Sequence, residues 1–425
     1  MSSKNSEKEK QLDFEKQKDS AEGKITPEGL AAMRARIGIV QPVSRYGEPS
    51  PNPGHEYASV DGMRAYSEGI GDPNPLYTDP GYAAKTRWGK LIAHPTFMLY
   101  MGVPQKKQLT AEERRIGKAG GLPGVHAMYG GEEMEWFRPI EEGDRLTCRG
   151  GLAKADEKPS KTAGFAVHET GEVVLWNQRG ELVGIRRSLL IRYERTASRE
   201  RRTHLDVPPP KYSAEDLAKI DADYEREEIR GKKPRYWEDV TVGDEIVPVV
   251  KGPWRVTDYI VYCEGTGHRN TFHTAHKLAY EYRKRHPRAF PLTENGFPDV
   301  ITRVHWDPAM AHITGEANCY DYGGERVGNL SHAATNWMGD DGFLRKFQIQ
   351  IRGFVRVGDT YWVKGRVAEK YVKDGEHFVE LELHAVNQRG EDVAPARAWV
   401  LLPSRADGPV KIPTRIPEMV SIYAK

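Results

Sequence analysis

The sequence predicts an α+β protein made of two similar halves, each with an antiparallel sheet wrapped around a helix. Three observations support this prediction. The chain has 425 residues, too many for one ordinary hydrophobic core. A segment of the first half recurs in the second half. In each half, helix-like patterns precede a long run of strand-like alternation, which is typical of a sheet that packs around its helix.

The repeat is the strongest of these observations. Residues 66–83 align with residues 262–279 without a gap, at an offset of 196 residues. Both copies contain tyrosine, glutamate, two glycines and asparagine at matching positions. The motif N-Q-R-G-E also occurs twice, starting at Asn177 and at Asn387. Matching motifs in the same order along both halves indicate an internal duplication.

Local patterns predict where the elements of each half begin. Thr26 is followed by proline, and Ser213 is followed three residues later by an acid, as at many helix N-termini. Asp61 and Thr257 are predicted to cap equivalent helices just before the two copies of the repeat. In the first half, alternating apolar and polar residues predict strands at residues 125–137, 144–154, 164–177 and 182–193.

Changes in composition divide the chain into five predicted segments. Residues 1–24 are predicted to be a disordered tail, because they contain too few apolar side chains to form a core. Residues 25–198 and 236–405 are the predicted N-terminal and C-terminal domains. Residues 199–235, rich in charge and proline, are predicted to link them, and residues 406–425 form a C-terminal tail.

The composition excludes several classes of protein. The 63 basic and 61 acidic residues give a net charge of +2, so the chain offers no field of one sign to nucleic acid or to an anionic membrane. No apolar run approaches the length of a membrane span, and three scattered cysteines suit a reducing compartment. We therefore expect a soluble cytoplasmic protein that binds neither nucleic acid nor membranes.

The second half is rich in histidine, so a metal site has to be considered. However, the zinc spacings H-E-x-x-H and C-x-x-C do not occur. The glycine motifs that bind phosphates and dinucleotides are also missing. We therefore expect no metal and no cofactor. The histidines considered are His268, His273, His276, His286, His305, His312 and His332.

The first copy of the repeat resembles a known catalytic loop. It contains G-D-P-N-P-L-Y-T-D-P from Gly71, followed by L-I-A-H-P-T-F from Leu91. These motifs resemble the hydratase loop of the MaoC-like acyl dehydratases, usually G-D-x-N-P-[aliphatic]-H-x-D-P followed by G-x-I-A-H-G. The segment W-F-R-P-I-E-E-G-D at residues 136–144 adds to the resemblance.

The resemblance implies a fold and a class of substrate. The fold is the double hot-dog, in which each antiparallel sheet wraps a central helix, and the first half is most similar to the dehydratase domain of fatty-acid synthases. The substrates of the family are enoyl or 3-hydroxyacyl thioesters of coenzyme A or acyl carrier protein. An acyl-CoA thioester is therefore the expected ligand.

The resemblance also implies which residues carry the chemistry. Hydration of an enoyl thioester needs general catalysis, because water is a weak nucleophile and the developing enolate is unstable. In the family, the loop aspartate and histidine take the two acid-base roles and the asparagine braces the loop. The candidates in the first half are Asp72, Asn74, Tyr77 and His94. The candidates in the second half are His268, Asn270 and His273.

Neither half keeps the full Asp-His pair, so each candidate also has a plain structural interpretation. Tyr77 stands at the family's histidine position, and a phenol with a pKa of about 10 is a poor base, so we expect it to act as an acid, a hydrogen-bond donor or an anchor. Asp72 could simply cap its turn, and His94 lies in an apolar run where a lone histidine is often a core residue. His305, in H-W-D, is expected near the place that His94 occupies in the first half.

The predicted activity is that of a hydro-lyase without cofactor. It is an acyl-CoA hydratase or dehydratase, which adds water to a 2-enoyl thioester or removes it from a 3-hydroxyacyl thioester. The alternatives are a non-catalytic acyl-CoA-binding subunit of a heteromeric hydratase and a hot-dog thioesterase. We expect a homodimer or a heteromer with another hot-dog protein, and either half could be the active one.

Overall fold

A computed structural model describes most of the chain. It covers residues 23–40, 54–105, 107–118, 121–160, 164–194, 207–267, 275–412 and 421–424. Apart from Gly23 and Lys24, the predicted disordered tail lies outside these residues. The second-half candidates His268, Asn270 and His273 also lie outside them. The predicted domain boundaries stay a prediction.

The described strands form one ten-stranded sheet, which confirms the predicted α+β class. The strands of the first half are β1 (Val103–Pro104), β2 (His126–Trp136), β3 (Thr147–Ser160), β4 (Gly164–Trp176) and β5 (Leu182–Tyr193). The strands of the second half are β6 (Val249–Lys251), β7 (Phe343–Gln350), β8 (Tyr361–Lys373), β9 (Glu376–Asn387) and β10 (Asp392–Leu401). Strands β2 to β5 occupy the four predicted segments, and β3 continues past its predicted end.

The order of the strands joins the two halves edge to edge. It is β1-β3-β4-β5-β2-β7-β10-β9-β8-β6, so each half supplies five adjacent strands. The junction is the antiparallel pair of β2 and β7, in which Gly131 lies opposite Gln350 and Glu135 lies opposite Lys346. Only β1 and β3 pair in parallel within this sheet of the described residues. One continuous sheet therefore holds both halves in a fixed relation.

The described residues also form ten α-helices. The helices are α1 (Pro27–Arg34), α2 (Val60–Gly69), α3 (Pro75–Thr78), α4 (Pro80–Ala83), α5 (Ala111–Lys118), α6 (Ala214–Glu225), α7 (Val256–Gly265), α8 (His276–Arg285), α9 (Pro308–Thr314) and α10 (Gly323–Met338). Thr26 and the Ser213 capping box begin α1 and α6 as predicted.

Two predicted helix starts were wrong. Ser59, not Asp61, caps α2, because the serine hydroxyl accepts a hydrogen bond from an amide of the first turn. Asp61 lies inside that turn, where its charge suits the positive end of the helix dipole. Helix α7 begins after Arg255 rather than at Thr257, because the Asp258 carboxylate accepts the backbone N–H of Arg255.

The two halves differ in their central helix. Helix α10 has 16 residues and is buried along nearly its whole length. The equivalent segment of the first half is the short 3₁₀ helix Pro95–Tyr100. The first half therefore has little helical surface of its own beside its sheet, and the second half supplies the long helix at the centre of the molecule.

Main-chain pairing identifies the residue that corresponds to His94 in the second half. The preceding residue in the first half, Ala93, donates its backbone N–H to the Ile140 carbonyl oxygen at 2.8 Å. In the second half, Asp321 donates to the Val355 carbonyl oxygen, at the equivalent position, at 2.9 Å. His94 and Tyr322 then begin the two central helical segments as their N-caps. His305 does not occupy this position but lies beside it, as predicted: its ring meets the Tyr322 ring edge-on, with centroids 5.2 Å apart, and stacks against a tyrosine of α7.

Two repeated glycines allow helices α2 and α7 to cross closely. A Cβ atom on Gly265 would lie 2.4 Å from the Ala65 carbonyl oxygen, and one on Gly69 would lie 3.1 Å from Tyr262 Cα. Only glycine fits at the Gly265 contact without displacing backbone. Because both helices end at this crossing, the loop after α2 is held against the second half.

Candidate active site

The loop after α2 places Asp72 in the interior. Gly71 adopts a positive φ of 63° and turns the chain, and Asp72 is 1% exposed. Its Oδ1 accepts the backbone N–H of Asn74 at 2.9 Å. The Asn74 side chain in turn accepts the N–H of Leu76 at 3.0 Å and caps α3. Asp72 does cap its turn, but this uses only one of its two oxygens.

Asp72 lies between two histidines, one from each half. The Nε2 atom of His94 is 3.8 Å from Asp72 Oδ2. The Nε2 atom of His332, on α10, is 3.3 Å from Asp72 Oδ1. All three side chains are fully buried. The first-half carboxylate thus meets an imidazole of the second half, although this imidazole is not the loop histidine that the family pattern suggested.

The hydrogen bonds of His94 determine which of its nitrogens carries the proton. Its Nδ1 accepts the backbone N–H of Thr96 at 3.3 Å and lies 2.8 Å from the Thr96 hydroxyl, which accepts the Tyr66 hydroxyl. A backbone N–H can only donate, so Nδ1 is an acceptor and the neutral ring carries its proton on Nε2. That N–H faces Asp72.

His332 has polar partners on both ring nitrogens. The Lys251 ammonium lies 3.0 Å from Nδ1, and the amide nitrogen of Asn336 lies 3.0 Å from Nε2. Lys251 also donates to the Ile70 carbonyl oxygen at 2.7 Å, at the end of α2. The second half therefore contributes three polar side chains around the Asp72 loop.

Tyr77 packs beside the group formed by Asp72, His94 and His332. Its ring meets the His94 ring edge-on, with centroids 5.2 Å apart, and its hydroxyl lies beside the Thr335 side chain of α10. Burial, followed by the nearby Asp72 charge, raises the pKa of Tyr77 well above its ordinary value. The phenol therefore stays protonated and can act only as a donor or an anchor.

Burial controls the protonation of the central groups. It raises the pKa of Asp72 to about 7, although the Asn74 N–H and the Lys251 charge oppose the rise. Burial lowers the pKa of His94 to about 3 and that of His332 well below its ordinary value. Both imidazoles are therefore neutral near pH 7, and their contacts with Asp72 are not ion pairs. Asp72 itself titrates in this range.

Two atoms at the centre of the site have unused hydrogen-bonding capacity. Asp72 Oδ2 and His94 Nε2 are buried and have no hydrogen-bond partner in the part of the chain that the structure describes. They lie 3.8 Å apart, a separation that one small hydroxylic molecule can bridge with a hydrogen bond to each. Asp72 Oδ2 therefore offers an acceptor, and the His94 N–H a donor, to the same bound molecule.

A small apolar cavity of about 30 Å³ lies next to these residues, with room for about two water molecules. Both halves form its wall, and Tyr77 belongs to the wall as well as to the site. Its apolar character suits a hydrocarbon group. The lining residues are Leu76, Tyr77, Trp88, Ile92, Ala93, Pro95, Trp136, Arg138, Pro139, Ile140, Met338, Gly342, Phe343 and Leu344.

The structure brings together the four first-half candidates but does not describe the second cluster of His268, Asn270 and His273. Sequence reasoning considered His332 only as one of several histidines and did not consider Lys251. A signal for His332 does exist: Asn329, His332 and Asn336 form a polar stripe at helical spacing on the otherwise mostly apolar α10.

Across the described ranges, no three His, Cys, Asp or Glu side chains are arranged to hold a metal ion. The helices described here are all too short or too polar to cross a membrane.

Comparisons with known sequences find one family model and several relatives that match part of this chain. Residues 47–186 match the family model of the FAS1-like dehydratase domain region. A UPF0336 protein of Thermobifida fusca is 31% identical over 87 residues, which are 20% of this chain and 54% of that protein. A UPF0336 protein of Streptomyces avermitilis is 33% identical over 85 residues, 20% of this chain and 53% of that protein. The chain thus spans about half the length of these curated relatives.

Comparisons with solved structures identify the fold. A MaoC-like dehydratase superposes with a TM-score of 0.55 at 16% identity, over 87% of this chain and 99% of that one. A protein described as a MaoC domain dehydratase from Chloroflexus aurantiacus superposes with a TM-score of 0.50 at 12% identity, over 82% and 93% of the two chains. The predicted resemblance to MaoC-like dehydratases and the predicted double hot-dog fold are confirmed.

Proposed function

We propose that this chain, whose first half carries a FAS1-like dehydratase region, is an acyl-thioester hydratase or dehydratase with its active site at Asp72. The observation that supports this most strongly is the buried carboxylate between two neutral imidazoles. Asp72 Oδ2 and His94 Nε2 face each other, and neither has a hydrogen-bond partner among the described residues. A base whose pKa is about 7 is well matched to proton transfer at neutral pH.

The proposed step begins with a water molecule between Asp72 and His94. The His94 N–H donates to the water oxygen, and the water donates one proton to Asp72 Oδ2. As Asp72 takes that proton, the oxygen bonds to carbon 3 of the enoyl thioester and the double-bond electrons move toward the carbonyl. Asp72 then gives the proton that it took from the water to carbon 2, so that water has added across the double bond and Asp72 is a carboxylate again.

The contact between Asp72 and His332 orients the carboxylate. The neutral His332 ring keeps its single proton throughout. Its Nε2 atom is 3.3 Å from Asp72 Oδ1, so after a small approach its N–H can donate to the carboxylate and stabilise the charged form. Dehydration is the same sequence in reverse.

The apolar cavity beside Tyr77 is the proposed place for the first carbons of the acyl chain. Its present volume of about 30 Å³ is smaller than an acyl group, so we expect binding to move flexible lining side chains such as Met338. The Tyr77 hydroxyl is proposed as an anchor or hydrogen-bond donor beside the thioester. The thioester of coenzyme A, and a homodimer or a heteromer with another hot-dog protein, remain part of this proposal.

The test is loss of the enoyl-thioester absorbance when the full-length protein meets a panel of 2-enoyl-CoAs. We expect turnover by the wild type and a loss of about 10²-fold to 10⁴-fold in kcat for Asp72→Asn and for His332→Gln. Asp61→Asn is the matched control, because this carboxylate lies in the first turn of α2, at the other end of the helix from the loop, and is 97% exposed.

Other outcomes would replace the proposal. Binding of acyl-CoA without turnover on any substrate would indicate a binding subunit of a heteromeric hydratase. Release of free coenzyme A with the double bond intact would indicate a thioesterase. Full activity in Asp72→Asn would place the chemistry elsewhere in the chain.

A further inference from the structure

We propose that Lys251 is a positioning residue: its ammonium holds the proton of His332 on Nε2 and ties that ring to the Asp72 loop. The geometric part of this inference stands on its own. Its consequence for catalysis rests on the proposed function, in which His332 must donate from Nε2.

Lys251 makes contacts in both halves. It is the last residue of β6, at the edge of the second half's sheet. Its Nζ donates to the Ile70 carbonyl oxygen at 2.7 Å and lies 3.4 Å from the Gly71 carbonyl oxygen. The same atom lies 3.0 Å from Nδ1 of His332. One ammonium thus holds the backbone just before Asp72 and the imidazole opposite it.

The chemistry of the ammonium decides the tautomer of His332. An ammonium has three donors and no acceptor, so Nδ1 of His332 must accept. A neutral imidazole then carries its only proton on Nε2, which is the atom 3.3 Å from Asp72. The structure places the Asn336 amide nitrogen 3.0 Å from that Nε2, and a nitrogen cannot accept its proton. The inference therefore requires the Asn336 amide to be turned by 180°, which would also give its buried Oδ1, without a hydrogen-bond partner among the described residues, a donor.

Acidic groups around Lys251 oppose the effect of burial on its charge. Burial lowers the pKa of Lys251 below its ordinary value, and Glu227, Asp72, Glu325 and Asp258 limit this fall. Glu227 accepts the backbone N–H of Val250, so it is held beside the lysine. The neutral imidazoles of His94 and His332 complete the set of titratable groups that face this ammonium.

A purely structural role is the competing explanation. A cation at the carbonyl end of α2 stabilises that helix end, whatever happens at His332. Such a role predicts lower stability on removal of the charge, without a change in the tautomer of His332. The two explanations therefore differ in an observable that does not require turnover.

The test compares Lys251→Met with Lys251→Arg in the full-length protein labelled with ¹⁵N in its histidine rings. The His332 signals are assigned by their loss in His332→Gln. We expect the wild type and Lys251→Arg to show an accepting Nδ1 and a protonated Nε2. We expect Lys251→Met to show a population with the proton on Nδ1. If Lys251→Met does not fold, Lys251→Gln, which is neutral and one side-chain atom shorter than lysine, serves instead.

Kinetics provide the second reading. We expect kcat of Lys251→Met to fall about 10²-fold with little change in KM, and Lys251→Arg to recover much of the loss. An unchanged tautomer in Lys251→Met would overturn the inference. A changed tautomer in a protein whose wild type turns over no enoyl thioester would uphold the role of Lys251 at His332 and reject the proposed function.

Discussion

Replacing the Asp72 carboxylate by the amide of Asn should make the protein increasingly stable relative to the wild type as the pH rises, and should lower kcat by about 10²-fold to 10⁴-fold. The amide keeps the acceptor for the Asn74 N–H but carries no charge. In the wild type, burial raises the pKa of Asp72 from an ordinary value of 3.8 to about 7. The folded protein therefore binds this proton more tightly than the unfolded chain does.

The magnitude follows from linkage between protonation and folding. The proton on Asp72 stabilises the fold fully below about pH 4, and this stability is lost as the pH rises to about 7. Since one pKa unit corresponds to about 1.4 kcal/mol, the loss amounts to at most about 4 kcal/mol in the free energy of unfolding. Asp72→Asn has no such loss. Its stability relative to the wild type should therefore rise by up to about 4 kcal/mol between pH 4 and pH 8.

Urea unfolding of both proteins across this pH range measures the difference. Glu316 and Glu325 also have raised pKa values, but both proteins contain them, so their contributions cancel. Any constant cost of the amide in the site also cancels, because only the change with pH is compared. Stability curves that run parallel from pH 4 to pH 8 would refute the buried, perturbed carboxylate on which the proposed mechanism depends.

Two further substitutions test the surroundings of the site. Tyr77→Phe removes a buried hydroxyl that lies beside Thr335, so we expect a loss of about 1 kcal/mol in the free energy of unfolding. The pH profile of kcat should stay unchanged. If the basic limb of that profile disappeared, this would instead show that Tyr77 ionises. Gly265→Ala would force a Cβ against the backbone of α2 and should cost about 1–3 kcal/mol in urea unfolding. Gly117→Ala is its control, because open space surrounds that helical glycine. Alanine should raise the free energy of unfolding there by up to about 1 kcal/mol. Equal stability of the two variants would contradict the close helix crossing.

Several features followed from the sequence alone because neighbouring residues encode them. The alternation of apolar and polar side chains located β2 to β5, since successive strand residues point to opposite faces. The repeat predicted two halves, and the glycines, Asp72 and Asn74 marked a tight polar loop because each has a specific backbone or capping role. Helix starts were less certain, as Ser59 and Arg255 show, since several nearby residues can cap the same helix.

The chemical environment of Asp72 was decided only by the tertiary structure. The spacing of the loop motif indicated the position of Tyr77 as the acid-base partner of Asp72, because the family has its histidine there. The imidazoles beside Asp72 belong instead to His94 and His332. His332 reaches the loop because one continuous sheet and the close crossing of α2 and α7 set α10 against the first half. The pKa of Asp72 likewise depends on burial by both halves, and no pattern of neighbouring residues specifies contacts between segments so distant along the chain.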